Sequence, residues 1–76
     1  MKELVQYIAQ SLVDHPDQVE VTQAFRDRTV VVTLKVAPED LGRVIGRQGR
    51  VVEAMRSLLK VAAVREGTRV FLEVSA

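Results

Sequence analysis

The stretch Val44-Ile45-Gly46-Arg47-Gln48-Gly49-Arg50, near the middle of a 76-residue chain, decides the fold. Ahead of it, Pro38-Glu39-Asp40-Leu41-Gly42-Arg43 reads as the start of a short helix, about 38–45. Proline suits the first helical position, where its missing N–H has no helical partner in any case. Glu39 and Asp40 then set negative charge at the positive end of the helix dipole. Behind it, an unbroken helical pattern runs to Val64, predicting a second helix over about 50–64. Two helices therefore meet at a tight loop, with Gly46 where a left-handed C-cap is wanted and Gly49 opening the next helix.

The same loop has the chemistry of a phosphate seat. Two glycines let a polynucleotide backbone approach without a Cβ in the way, and the second helix points its free N–H groups into the gap. Arg47, Gln48 and Arg50 add two cations and an amide, with Arg43 one turn earlier. A bare G-x-x-G is a weak signal, because glycine so often just ends a helix. Its placement after an apolar Val-Ile pair, between two helices and among arginines, carries more weight.

Working outward, residues 29–36 form the strongest strand pattern, with Val30, Val32, Leu34 and Val36 on one face. Residues 18–25 alternate more weakly, with Val19, Val21 and Phe25 on the inward parity. Arg26-Asp27-Arg28 joins the two as a hairpin turn. Met1 to Val13 is an amphipathic helix whose stripe is Leu4, Ile8 and Leu12, with Val5 beside it. It ends at Asp14-His15-Pro16-Asp17, since proline cannot continue a helix and disfavours helical geometry in the residue before it. After a turn at Arg65-Glu66-Gly67-Thr68, residues 69–74 give a third strand, with Val70, Leu72 and Val74 on one face and Phe71 on the other.

The order α-β-β-α-α-β, with three strands sharing one apolar face, predicts an α+β sandwich of a three-stranded sheet with helices on one side. The last strand follows a two-helix crossover and is expected to lie parallel beside residues 29–36, making the sheet mixed. Seventy-six residues hold one core and one domain, of modest stability at this size. With no cysteine, disulfides, thiolate metal sites and cysteine catalysis are excluded. No stretch has the pattern of a leader or a membrane span, so a cytoplasmic protein is expected.

The net charge of +1 says nothing by itself about partners. Its distribution says more. Residues 1–42 carry four basic and seven acidic side chains, whereas residues 43–60 carry Arg43, Arg47, Arg50, Arg56 and Lys60 against Glu53 alone. Positive charge gathered on a glycine loop and the helix after it is the electrostatic footprint of a phosphate binder.

This order of elements, with Val44-Ile45-Gly46-Arg47-Gln48-Gly49-Arg50 between the second and third helices, resembles the type II KH domain. Together with Val36-Ala37-Pro38-Glu39-Asp40 it is similar to the small stand-alone bacterial KH proteins of the KhpA type. The resemblance covers the whole chain. Family members often carry lysine where this chain has Arg47, which keeps the charge but trades a point cation for a planar fork. The resemblance implies single-stranded RNA as ligand, gripped by the G-x-x-G loop. It also implies pairing as a homodimer or with a larger KH-containing partner protein, and a post-transcriptional role in bacterial cell elongation and division. Carried onto this sequence, the RNA-binding residues are Gly42, Arg43, Ile45, Gly46, Arg47, Gln48, Gly49 and Arg50.

Gly42 costs about 1 kcal/mol inside a helix. It either gives the ligand groove a smooth wall or packs against the sheet. Val51, Met55, Leu58, Leu59 and Ala62 make the core stripe of the last helix, and its apolar arc is broader than one core face requires. Ala54, Leu58, Val61 and Val64 are the residues for a self-association face. His15 and the adjacent carboxylates Glu39 and Asp40 form no catalytic or metal-binding spacing, so no enzyme, cofactor or metal is expected. The competing reading is a protein-interaction adaptor with little RNA binding of its own. The residues do not separate RNA from single-stranded DNA.

Overall fold

The computed structural model describes residues 1–76. Helix α1 spans Lys2–Leu12, strands β1 and β2 span Glu20–Arg26 and Thr29–Lys35, helices α2 and α3 span Leu41–Ile45 and Arg50–Glu66, and strand β3 spans Arg69–Ser75. Short 3-10 turns at Pro16–Gln18, Pro38–Asp40 and Arg47–Gly49 join them. The sheet order is β1-β2-β3. β1 pairs antiparallel with β2, and β3 runs parallel to it in the register Val30↔Val70, Val32↔Leu72 and Leu34↔Val74. The mixed three-stranded sheet with helices on one face is the expected α+β arrangement.

The central strand explains why. Val30, Val32, Leu34 and Val36 alternate with polar or half-buried residues, and all four are buried beneath the helices. Parallel neighbours need a crossover connection. Here α2, the Arg47–Gly49 turn and α3 supply it, so the loop between the helices lies near the carboxyl ends of β2 and β3. One core of thirteen buried residues runs from Val5 and Ala9 through the sheet to Val52, Met55 and Leu59.

Three expectations fail in their details. The buried line of α1 is Val5 and Ala9, flanked by Ile8, while Leu4 and Leu12 are exposed. A small alanine lets the helix backbone sit close to the sheet, which turns the longer leucines outward. In α3 the core line is Val52, Met55, Leu59 and Ala63, so Leu58 lies outside it at 52% exposure and Ala62 is only half-buried. Phe25 has the inward parity but is 67% exposed. α1 begins at Lys2, whose backbone N–H donates to Gln23 Oε1 at 3.1 Å, so no helix covers the end of β1 beyond Gln23.

The segment 38–45 is also not one helix. Pro38–Asp40 is a 3-10 turn, and the α-helix begins only at Leu41. Asp40 is 1% exposed, the single buried charged residue. Its two carboxylate oxygens accept the backbone N–H groups of Asp14 and His15, both at 3.0 Å. Asp40 is therefore more than helix-start charge: it ties the end of α1 to the start of α2. His15 Nε2 lies 3.3 Å from Glu39 Oε2, and Arg43 Nη2 lies 3.2 Å from Asp14 Oδ2, which reinforces the same junction at the surface. A buried carboxylate with two N–H partners is a high-stakes contact, since its removal orphans both donors. We expect Asp40→Ala to lower the unfolding free energy by about 2–3 kcal/mol in urea denaturation, and Asp40→Asn to lower it by less.

Candidate nucleic-acid interface

The loop is built by two residue types in opposite roles. Gly46 ends α2 with φ +79° and ψ 172°, an extended positive-φ conformation rather than the left-handed cap anticipated there. Left-handed geometry falls instead on Gln48 (φ +57°) and Gly49 (φ +73°), the latter capping α3. A Cβ on Gly46 would stand 2.3 Å from Val51 Cγ2 and 2.9 Å from the Val51 backbone nitrogen. The loop is thus folded back on the first turn of α3, and Val51 is held partly buried against the core beneath it. Gly49 has open space where its Cβ would be, so its requirement is conformational only. Gly42 likewise has nothing within 4 Å, which removes close packing as its reason. What remains is a bare, exposed stretch of helix surface next to Ile45, itself partly exposed.

The side chains fall into free and committed groups. Arg47 and Gln48 are exposed at the tip. Arg50 donates from Nη2 to Gln48 Oε1 at 3.2 Å, so amide and guanidinium stand together. Arg43 faces Asp14 and is partly neutralised. Arg56, grouped with the basic patch on sequence grounds, is tied down: Nη1 bonds Glu53 Oε1 at 2.8 Å and Nη2 donates to the Leu72 carbonyl at 3.3 Å. The structure therefore brings Gly42, Ile45, Gly46, Arg47, Gln48, Gly49 and Arg50 to one edge of the molecule, with Arg43 engaged at its side. That edge can bind an anionic backbone through Arg47, Arg50 and the N-terminus of α3.

Away from the loop, Ala54, Leu58 and Val61 follow one another along the outer side of α3, continued by Val64 at 70% exposure. No helix is long and apolar enough to cross a membrane, and no group of His, Asp or Glu is placed to hold a metal ion.

With this geometry in place, the family is decided by comparison. The family model described as "KhpA/KhpB, KH domain" matches residues 2–74. The chain belongs to this KH-domain family. It is a non-enzymatic family. Similar relatives include the RNA-binding protein KhpA of Clostridium acetobutylicum, 50% identical over 97% of this chain and 99% of that protein. Another is the RNA-binding protein KhpA of Caldanaerobacter subterraneus subsp. tengcongensis, 51% identical over the same shares. Aquifex aeolicus KhpA, also called an RNA-binding protein, is 43% identical over 97% of this chain and 94% of its own length. Among solved structures, this KH domain superposes on part of Era, crystallised with MgGDPNP and nucleotides 1506–1542 of 16S ribosomal RNA. The TM-score is 0.58 at 20% identity, covering 97% of this chain and 28% of that one, which shows the fold.

The two loop glycines should respond differently to alanine. Gly46→Ala must displace Val51 and adopt a disfavoured φ, and we expect a loss of about 3 kcal/mol or more. Gly49→Ala should cost about 1–2 kcal/mol through backbone strain alone. Thermal melts of the two variants check the order.

Proposed function

We propose that this KH domain binds single-stranded RNA at the loop between α2 and α3. The observation that carries the reading is the loop itself: Gly46 is folded against Val51, and this leaves Arg47 and Gln48 exposed at a tip beside Arg50. In that reading Arg47, Gln48 and Arg50 meet the sugar-phosphate backbone at the N-terminus of α3. Gly49 keeps the approach open, while Gly42 and Ile45 form the aliphatic wall on which unpaired bases rest. Arg43, half-committed to Asp14, joins as a peripheral phosphate contact. The names of the similar proteins, RNA-binding protein KhpA, support the ligand class. A post-transcriptional role in cell elongation and division is what the family resemblance implies, and a cytoplasmic setting is what the sequence pattern implies.

About three neutralised phosphates imply weak binding by one domain, with log affinity falling against log salt at a slope of about −2. Arg47→Asp combined with Gln48→Asp should lower affinity for a short oligouridylate at least about tenfold. The circular dichroism spectrum should not change, because neither side chain is buried. Fluorescence anisotropy across a salt series reads both effects. Undiminished binding by the variant means that the loop is not the clamp.

Weak single sites gain from pairing, since a second linked site raises avidity without new contacts. The exposed stripe of Ala54, Leu58, Val61 and Val64 on α3 supports a homodimer, or a complex with a larger KH-containing protein, through that face. The same stripe is the observation that favours the adaptor reading. Equilibrium sedimentation should show a dimer at tens of micromolar that Val61→Glu returns to monomer. A wild-type chain that stays monomeric there rejects this face.

A further inference from the structure

The first strand, β1, forms one outer margin of the sheet. It runs from Glu20 to Arg26 with no proline and no glycine. Arg26 and Thr29 face each other across a two-residue turn, so Arg26, Ala24, Thr22 and Glu20 exchange hydrogen bonds with β2. The backbone N–H and carbonyl groups of Val21, Gln23 and Phe25 therefore point away from the sheet. No turn, loop, cap or side chain bonds to any of them.

An open margin of this kind accepts another strand, and the residues of β1 specify which one. Laid antiparallel on a copy of itself about Gln23, the strand sets Gln23 against Gln23, Val21 against Phe25, Thr22 against Ala24 and Glu20 against Arg26. This register satisfies three separate requirements. Every residue of the strand has a partner, whereas sliding by two leaves an end of each strand unpaired. The open backbone groups meet open groups, because Val21, Gln23 and Phe25 face only one another. Charge matches at both ends, where Glu20 meets Arg26. Both of these side chains are exposed, and neither takes part in an ion pair within the chain.

The same register accounts for Phe25, which is 67% exposed because no helix covers β1 beyond Gln23. The second copy runs the other way, so its buried Val21, lying under its own first helix, comes directly opposite. Helix α1 packs on both β1 and β2, which sets its axis in from the margin. The first helices of the two copies then lie about 10 Å apart, an ordinary packing distance.

We propose that the free margin of β1 pairs antiparallel with β1 of a second copy, joining two three-stranded sheets into one continuous sheet. The contact is separate from the α3 stripe, so a chain using both faces assembles beyond a dimer. A strand margin buries little side-chain surface, which places it among weak, transient contacts. Its dissociation constant should be about 1 mM, well above the concentration at which the stripe pairs.

The test uses Val61→Glu as background, so that the stripe is disabled. Sedimentation equilibrium should give a weight-average mass near that of the monomer at about 50 μM and about 1.5 times it at about 1 mM. Over the same range, exchange of the Val21, Gln23 and Phe25 amides should slow about twofold by NMR, while those of Thr22 and Ala24 stay as they were. Adding Arg26→Glu should return the mass to near the monomer value, since like charges then face each other at both ends. Adding Glu20→Arg should do the same. An equal mixture of these two variants should restore the rise, because acidic ends meet basic ones. Circular dichroism checks that each variant is folded. A background chain that stays monomeric at about 1 mM overturns the pairing, whatever the stripe does. So does a rise that survives either charge reversal, or one that the mixture fails to restore. If the background is still dimeric at tens of micromolar and charge reversal dissolves that dimer, the stripe falls and the β1 margin stands.

Discussion

The close approach of Gly46 to Val51 is the contact on which the rest of this small domain depends. A parallel pair of strands requires a long return path, and here that path is made of two helices with almost no loop between them. Only a residue without a side chain permits the backbone of α2 to turn within reach of Val51 in the first turn of α3. That turn fixes where α3 starts, and α3 then lies over β2 and β3 with Val52, Met55, Leu59 and Ala63 inward. The functional surface follows from the same turn. A bend drawn this tightly has no interior, so the side chains between its glycines are necessarily outside.

A second fastening holds the opposite corner. Asp40 faces the end of α1 rather than the solvent and accepts from two backbone donors just beyond that helix, Asp14 and His15. Charge at a helix start is ordinarily worth a few tenths of a kcal/mol to about 1 kcal/mol. A buried carboxylate with two donors is worth more, and it joins elements 25 residues apart in the chain. The short helix α2, five residues long, has little stability of its own. It is held by Asp40 at one end and by the glycine turn at the other.

Most of the architecture is legible in the sequence because the strands alternate cleanly and the glycine loop has unmistakable neighbours. Val30, Val32, Leu34 and Val36 specify one face of β2 without ambiguity. The errors on the helices share one cause. Periodicity finds the apolar arc of a helix but not its centre, and the centre is set by how near the backbone can come to the sheet. Ala9 and Ala63 mark that line, yet a count of large aliphatic residues passes over both in favour of Leu12 and Leu58. Phe25 escapes for a different reason, since parity gives a side and not whether a helix covers it. At the site, the identities of the loop residues are readable. The commitment of Arg56 to Leu72 and of Asp40 to α1 is not, because both partners are distant in sequence and are brought near only by the fold.

The bond from Arg56 to the Leu72 carbonyl has a further consequence. β3 is an outermost strand, and its pairing with β2 uses the amide of Arg69 and the carbonyl of Ser75. Alternation then directs the peptide groups of Val70, Leu72 and Val74 away from the sheet. A seven-residue margin of this kind, with Val70, Phe71, Leu72 and Val74 and no proline, offers open backbone groups on which another strand can pair. The guanidinium laid across its middle puts a charge and a steric stop where the next strand would have to begin. The side chain that α3 lays over this margin thus occupies one of its open acceptors.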